Sequence, residues 1–272
     1  MAPGEAAQTG RRWALVTGAS SGLGRELARQ LAARGYDLVL TARREERLVA
    51  LAAELTARHA DRAVEVVALD LGAPGAAAAL AARTEGAGRP IEVLVNNAGF
   101  ATYGPFVEQP WEKTAQELDL NVRALTELCA RFVPAMRARG RGFVLNVASF
   151  VAALPLPSYA TYAAGKAYVR NFSEALGFEL RGTGVSVCAL CPGGITTEFW
   201  DVAGHRPRPI VRATADRPAK VARVGLTALF AGRRLVTAGL LNKLWGFLLR
   251  FFPRWGMTRV GATLSKPYAA AR

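Results

Sequence analysis

Lysine is scarce in this chain. Of 35 basic side chains only 5 are lysine, and one of them, Lys166, stands among small residues in the stretch "SYATYAAGKAYV". Cysteine is scarcer still. Three in 272 residues, Cys129, Cys188 and Cys191, exclude a disulfide framework and suit a reducing, cytoplasmic setting. The two histidines, His59 and His205, are too few and too far apart to hold a metal, so no metal is expected. No apolar run precedes Trp13, which argues against a signal peptide and makes residues 1–11 a loose tail. Linkers and repeats are also missing. Residues 12–272 therefore read as one domain, and 51% hydrophobic residues suffice for its core.

Acidic residues nearly vanish from the C-terminal quarter. Residues 206–272 hold 14 basic side chains against one acid, Asp216, whereas residues 1–205 hold 21 against 20, so almost all of the net +14 lies at one end. A nucleic-acid-binding tail fits poorly, because these basic residues alternate with Leu, Phe and Trp.

What the chain does have is alternation. Apolar, β-rich runs occur at 13–17, 37–41, 64–69, 91–96, 142–148 and 184–190, and Ala/Leu/Arg stretches of helical period separate them, such as "GRELARQLAARG" ending on Gly35. Continuous apolar strands joined by helices predict an α/β doubly wound, mostly parallel, Rossmann-like sheet with helices on both faces. Directly after the first run comes "TGASSGLG", with Gly18, Gly22 and Gly24, opening into a helix. Such a strand-to-helix turn aims backbone N–H groups and the positive helix end at a pyrophosphate.

Together with "NNAG" (Asn96 to Gly99), Ser149, "YAAGK" (Tyr162 to Lys166) and "PGGITT" (Pro192 to Thr197), in that order, this loop resembles the short-chain dehydrogenase/reductase family over roughly residues 12 to 200. The resemblance implies oxidoreductase chemistry on a nicotinamide cofactor. It places Gly18, Ser20, Ser21, Gly22, Leu23, Gly24, Asn97, Ala98 and Gly99 along that cofactor. It also implies that Asp70, with Leu71 beside it, holds the adenine amino group. Pro192 and Gly193 belong to a loop closing over the nicotinamide, with the backbone of Ile195 and the hydroxyl of Thr197 on its carboxamide.

Four residues is just over one helical turn, so Tyr162 and Lys166 share a face, whereas Tyr159 stands two turns from the lysine. An ammonium beside a phenol stabilises the phenolate and draws its pKa toward neutrality. The resemblance implies that Tyr162 is the general acid in carbonyl reduction and the base in reverse. Lys166 then holds the nicotinamide ribose, Ser149 the substrate oxygen, and Asn121 links Lys166 to solvent. Tyr159 reads as a pocket wall. Gly165 suggests a close backbone approach to the cofactor, and Phe150, after Ser149, an apolar pocket.

The second run ends "TARR". Ala42 stands where an NAD site places a carboxylate, and Arg43 and Arg44 follow, which favours NADP(H). Ser21 stands where many NADP-preferring members of the family carry a basic residue, which weakens that preference. Cys188 and Cys191 have C-x-x-C spacing but lie along a buried strand, so they read as core. The segment 235–256, "LVTAGLLNKLWGFLLRFFPRWG", read as a helix, carries a narrow stripe of Gly239, Lys243, Gly246 and Arg250 amid Leu, Trp and Phe. It suits a lid or subunit contact within the variable region 196–272, or a membrane interface. The expected substrate is a hydrophobic ketone or aldehyde, or its alcohol. A 3-oxoacyl thioester reductase and a silent NADP-binding scaffold remain as alternatives. A homo-oligomer is expected by analogy, and nucleic acid is not.

Overall fold

Each of the six apolar runs forms a strand: β1 (Trp13–Thr17), β2 (Asp37–Ala42), β3 (Val64–Ala68), β4 (Ile91–Asn96), β5 (Gly142–Val147) and β6 (Val185–Cys191). A seventh, β7 (Leu235–Thr237), is added at the edge, and all pair in parallel in the order β3-β2-β1-β4-β5-β6-β7. The protein is seen here in a computed structural model that describes residues 10–205, 212 and 214–265. Most of the expected N-terminal tail thus lies outside the described residues.

The helices are α1 (Gly22–Ala32), α2 (Glu45–Arg58), α3 (Ala76–Arg83), α4 (Trp111–Leu118), α5 (Leu125–Ala138), α6 (Ala160–Glu179), α7 (Phe199–Ala203), α8 (Pro218–Phe230), α9 (Leu240–Leu248) and α10 (Arg254–Ser265). Successive residues of a strand point to opposite faces, so each strand supplies two cores. Ala14, Val16, Leu38 and Leu40 pack with Leu27 and Leu31 of α1, Leu48 of α2 and Leu226 of α8. Trp13, Leu15, Val39 and Leu94 pack with Leu80 of α3, Phe132 of α5 and Val169 of α6 on the other face. This is the doubly wound Rossmann-like architecture. A side chain such as Leu27, fully buried at one turn's spacing from Leu31, contributes roughly 1.5–3 kcal/mol by burial.

Two expectations are corrected. The segment 235–256 is not one helix. Leu235–Thr237 pairs with Ala189–Cys191 of β6, positive-φ Gly239 turns the chain, and α9 begins only at Leu240. Nor do residues 218–237 join a lid. Val221, Ala222, Leu226 and Leu229 of α8 are buried against the sheet and α1, so α8 and β7 complete the sandwich. Cys129, Cys188 and Cys191 are free and buried, and burial raises their pKa, to about 11 for Cys191, so they serve as core. Among the described residues no helix is long and apolar enough to cross a membrane.

Candidate active site

Strand order reverses between β1 and β4, and the connections leaving them open a crevice at their carboxyl ends. The glycine turn lies there. Gly18 has φ +67°, and a Cβ on it would come within 2.8 Å of Asn97 Nδ2. Asn97 in turn donates to the carbonyl oxygens of Thr17 and Gly18, at 2.9 and 3.3 Å, tying the turn to β4. A Cβ on Gly24 would collide with the Gly18 carbonyl oxygen, so this glycine seats α1 upon the turn. Ser21 makes no side-chain cap to α1, which leaves the helix's first N–H groups for an anion.

One cavity of about 990 Å³ extends from this turn across the sheet edge. Ser20, Ser21, Gly22, Arg43, Arg44 and Asp70 wall one end, and Phe150, Leu154, Leu156, Trp245, Leu249 and Val260 the other. Leu23, Leu71, Ala98, Gly99, Pro192, Gly193, Ile195 and Thr197 also line it. Gly24 and Asn121 do not; both stand behind the wall. Arg44 answers the missing basic residue in the glycine turn. Its Nη2 donates to Ser21 Oγ at 3.1 Å and Ser20 Oγ at 3.3 Å, so a guanidinium lies on the turn although none is encoded there. An extended, partly open cavity with uncapped amides and a guanidinium at one end fits a dinucleotide bearing an extra phosphate.

Ser149 follows β5 and caps the short 3₁₀ turn Phe150–Ala153. Tyr162 lies in the first turn of α6 and Lys166 one turn later. The Lys166 ammonium sits 5.7 Å from the Tyr162 ring centroid and donates to the Val147 carbonyl at 2.8 Å. Asn121 lies in a π-helical turn, Asp119–Ala124, between α4 and α5. It donates to the Phe100 carbonyl at 2.7 Å and accepts from the Phe100 N–H at 3.1 Å. Gly99 lets these groups close in, since a Cβ there would stand 2.7 Å from Asn121 Oδ1 and 3.5 Å from Lys166 Nζ. Gly165 is different from expectation. Its nearest neighbour across the helix is Val122 Cγ2, 3.4 Å from an added Cβ, so it packs on the π turn and not on the cofactor side.

Burial dominates the electrostatics of this group. It lowers the Lys166 ammonium to about 8. It raises the Tyr162 phenol, with a hydrogen bond from Ser149 opposing it and Glu117 adding to it. The expected lowering of the Tyr162 pKa by Lys166 is thus not the dominant effect here. A phenol held protonated is the form that can give a proton to a carbonyl oxygen.

Several residues escape a reading of the sequence. Glu117, one helical turn before Asn121, is buried; its Oε2 accepts from Thr102 N at 2.6 Å while Oε1 has no partner among the described residues. Burial raises its pKa. His205 stacks on Tyr103 at 4.2 Å, and its Nδ1 lies 2.7 Å from the Tyr159 hydroxyl. Burial lowers the His205 pKa and raises that of Tyr159. Tyr159 is buried and lines the cavity. Glu198, directly after the "PGGITT" loop, pairs with Arg47 at 2.8 Å and Arg44 at 3.0 Å, which holds its carboxyl below the usual range.

A model of the short chain dehydrogenase family matches residues 12–208. A very-long-chain 3-oxoacyl-CoA reductase of Phaeosphaeria nodorum is 32% identical over 213 residues, 75% of this chain and 62% of that protein. The chain therefore spans less than two thirds of that relative's length. A short-chain dehydrogenase from Sphingobium yanoikuyae, solved in complex with NADPH, is 33% identical with a TM-score of 0.78, covering 89% of this chain and 97% of its own. A 7β-hydroxysteroid dehydrogenase structure is 28% identical with a TM-score of 0.84, covering 92% and 96%. The chain belongs to the short-chain dehydrogenase family.

Proposed function

We propose that this protein is an NADP(H)-dependent oxidoreductase that interconverts a hydrophobic ketone or aldehyde with its alcohol. The observation that carries this reading is the single cavity that joins the guanidinium-bearing glycine turn, through Tyr162, Ser149 and Lys166, to an apolar end. When bound, the nicotinamide supplies or accepts the hydride. The α1 amides would hold the pyrophosphate, Arg43 and Arg44 the 2′-phosphate, and Asp70 the adenine edge. Ile195 and Thr197 would hold the carboxamide.

In the reducing direction the protonated Tyr162 hydroxyl gives its proton to the carbonyl oxygen, and Ser149 donates a hydrogen bond that orients that oxygen. Negative charge then develops on the phenol oxygen, and the Lys166 ammonium stabilises it in a site where burial strengthens their attraction. Lys166 would also hold the ribose hydroxyls, and its bond to the Val147 carbonyl fixes its position. Phe150, Leu156, Trp245 and Leu249 exclude water and select bulk. That apolar end, with relatives named as very-long-chain 3-oxoacyl-CoA reductases, supports a second reading in which the carbonyl is a 3-oxoacyl thioester.

The test is NADPH consumption on ketones, aldehydes and 3-oxoacyl thioesters graded in chain length, with NADH as control. Turnover that rises with chain length supports the reading. Tight NADPH binding with no turnover on any carbonyl would replace it with a silent cofactor-binding scaffold.

A further inference from the structure

Helices α9 and α10 have two kinds of surface. The inner one is fastened to the pocket. Asn242 donates to the Ala238 carbonyl at 2.8 Å and lies against Gly193 of the loop after β6, Gly246 faces Phe150, and Leu249 is buried. From α10, Gly261 sits on the Pro155 carbonyl, and the Ser265 carbonyl accepts from the Tyr103 hydroxyl at 3.0 Å. Leu241, Trp245 and Val260 line the cavity.

The outer surface is apolar and bare. Leu240 is 82% exposed, Phe251 72% and Trp255 66%, and Leu244, Phe247 and Phe252 join them. So large a contiguous apolar patch marks an interaction surface. The charges beside it have one sign. Lys243, Arg250, Arg254 and Arg259 form no ion pair with a carboxylate among the described residues. The region's one acid, Asp216, pairs with Lys220 at 2.6 Å.

We propose that this face docks on an anionic lipid bilayer, with the aromatic and leucine side chains in the acyl boundary and the basic ones on the head groups. Charge selects the occupant. A second copy, docked through the same patch about a two-fold axis, would set Lys243, Arg250 and Arg254 near their own images, and a neutral apolar partner would leave them unanswered. The face is also the outer side of the helices that wall the apolar cavity. Given the carbonyl-reductase reading, on which this last step rests, a lipid-soluble carbonyl reaches Tyr162 from the bilayer.

The experiment is co-sedimentation of the full chain with vesicles of phosphatidylglycerol and phosphatidylcholine in equal parts, and with phosphatidylcholine alone. Wild type, Phe247→Asp/Phe251→Asp and Lys243→Gln/Arg250→Gln/Arg254→Gln are compared at low and high salt. Each basic residue near an anionic surface contributes about fivefold to binding, so the triple variant should bind about a hundredfold more weakly. The aromatic variant should stay in the supernatant, and wild type should prefer anionic vesicles and release with salt. NADPH binding and turnover of a short, water-soluble ketone report folding and the enzyme reading separately, and neither should change in the variants. Wild type that ignores anionic vesicles, or binding that both variants retain, overturns the inference. So does a concentration-dependent dimer that Phe247→Asp/Phe251→Asp dissolves while vesicles are ignored, since a second copy would then be the occupant.

Discussion

Lys166→Met removes a buried charge from the centre of the site, and the structure sets the expected size of the effect. Burial holds the Lys166 ammonium at about 8, against 10.5 for a free lysine. That difference corresponds to about 3 kcal/mol by which the charged form disfavours folding at pH 7. Methionine matches the length and packs without charge, but the Val147 carbonyl loses its donor. An unpaired carbonyl costs about 1–2 kcal/mol. The variant should therefore be about 1–2 kcal/mol more stable than wild type at pH 7, while losing turnover. The sign with pH follows from the lowered folded pKa. Between about 8 and 10.5 the unfolded chain still binds the proton that the folded chain has released, so wild type gains stability as pH rises. By pH 9.5 the variant's advantage should shrink by about 2 kcal/mol. Urea unfolding of both proteins without added cofactor, at pH 7 and 9.5, measures this, since other titrating groups cancel in the difference. A variant less stable than wild type at pH 7, with a gap that does not move with pH, would refute the reasoning.

Gly165→Ala should be stabilising by about 0.5–1 kcal/mol with activity intact, because the added methyl meets only Val122 at ordinary contact distance; a loss of NADPH affinity in titration would contradict this. Gly24→Ala, also helical, should do the reverse. Its methyl meets the Gly18 backbone, and an unfolding free energy lower by about 1–3 kcal/mol together with weakened NADPH binding is expected. Arg44→Gln should weaken NADPH by about tenfold to a hundredfold and leave NADH unchanged, measured by fluorescence titration. In the reducing direction kcat/KM should fall as pH rises through about 8, as Lys166 loses the charge that stabilises the forming phenolate; a profile flat to high pH would sink that role.

The legible parts of the molecule were those set by local pattern. The six longer strands are continuous apolar runs, and the four-residue interval of Tyr162 and Lys166 is a helical repeat. β7 was hidden because three residues, Leu235–Thr237, run straight into the apolar residues of α9, and short apolar runs have no period. Contacts across long separations were hidden for a different reason. Arg44 meets Glu198 from 154 residues away, and Tyr159 meets His205 from 46, and neither pairing leaves a trace in spacing. The π turn that carries Asn121 depends on packing against Phe100 and Gly165, which no propensity encodes. Glycine was read for its freedom, yet Gly24 is there for what it touches.

The most direct test of the central claim is Tyr162→Phe beside wild type in NADPH oxidation on the longest ketone that wild type accepts, with NADPH affinity measured in parallel. The account predicts unchanged affinity and a loss in kcat of at least about a hundredfold, the usual worth of a positioned general acid. Turnover within a few-fold of wild type would mean that the proton comes from elsewhere and that Tyr162 is not the acid.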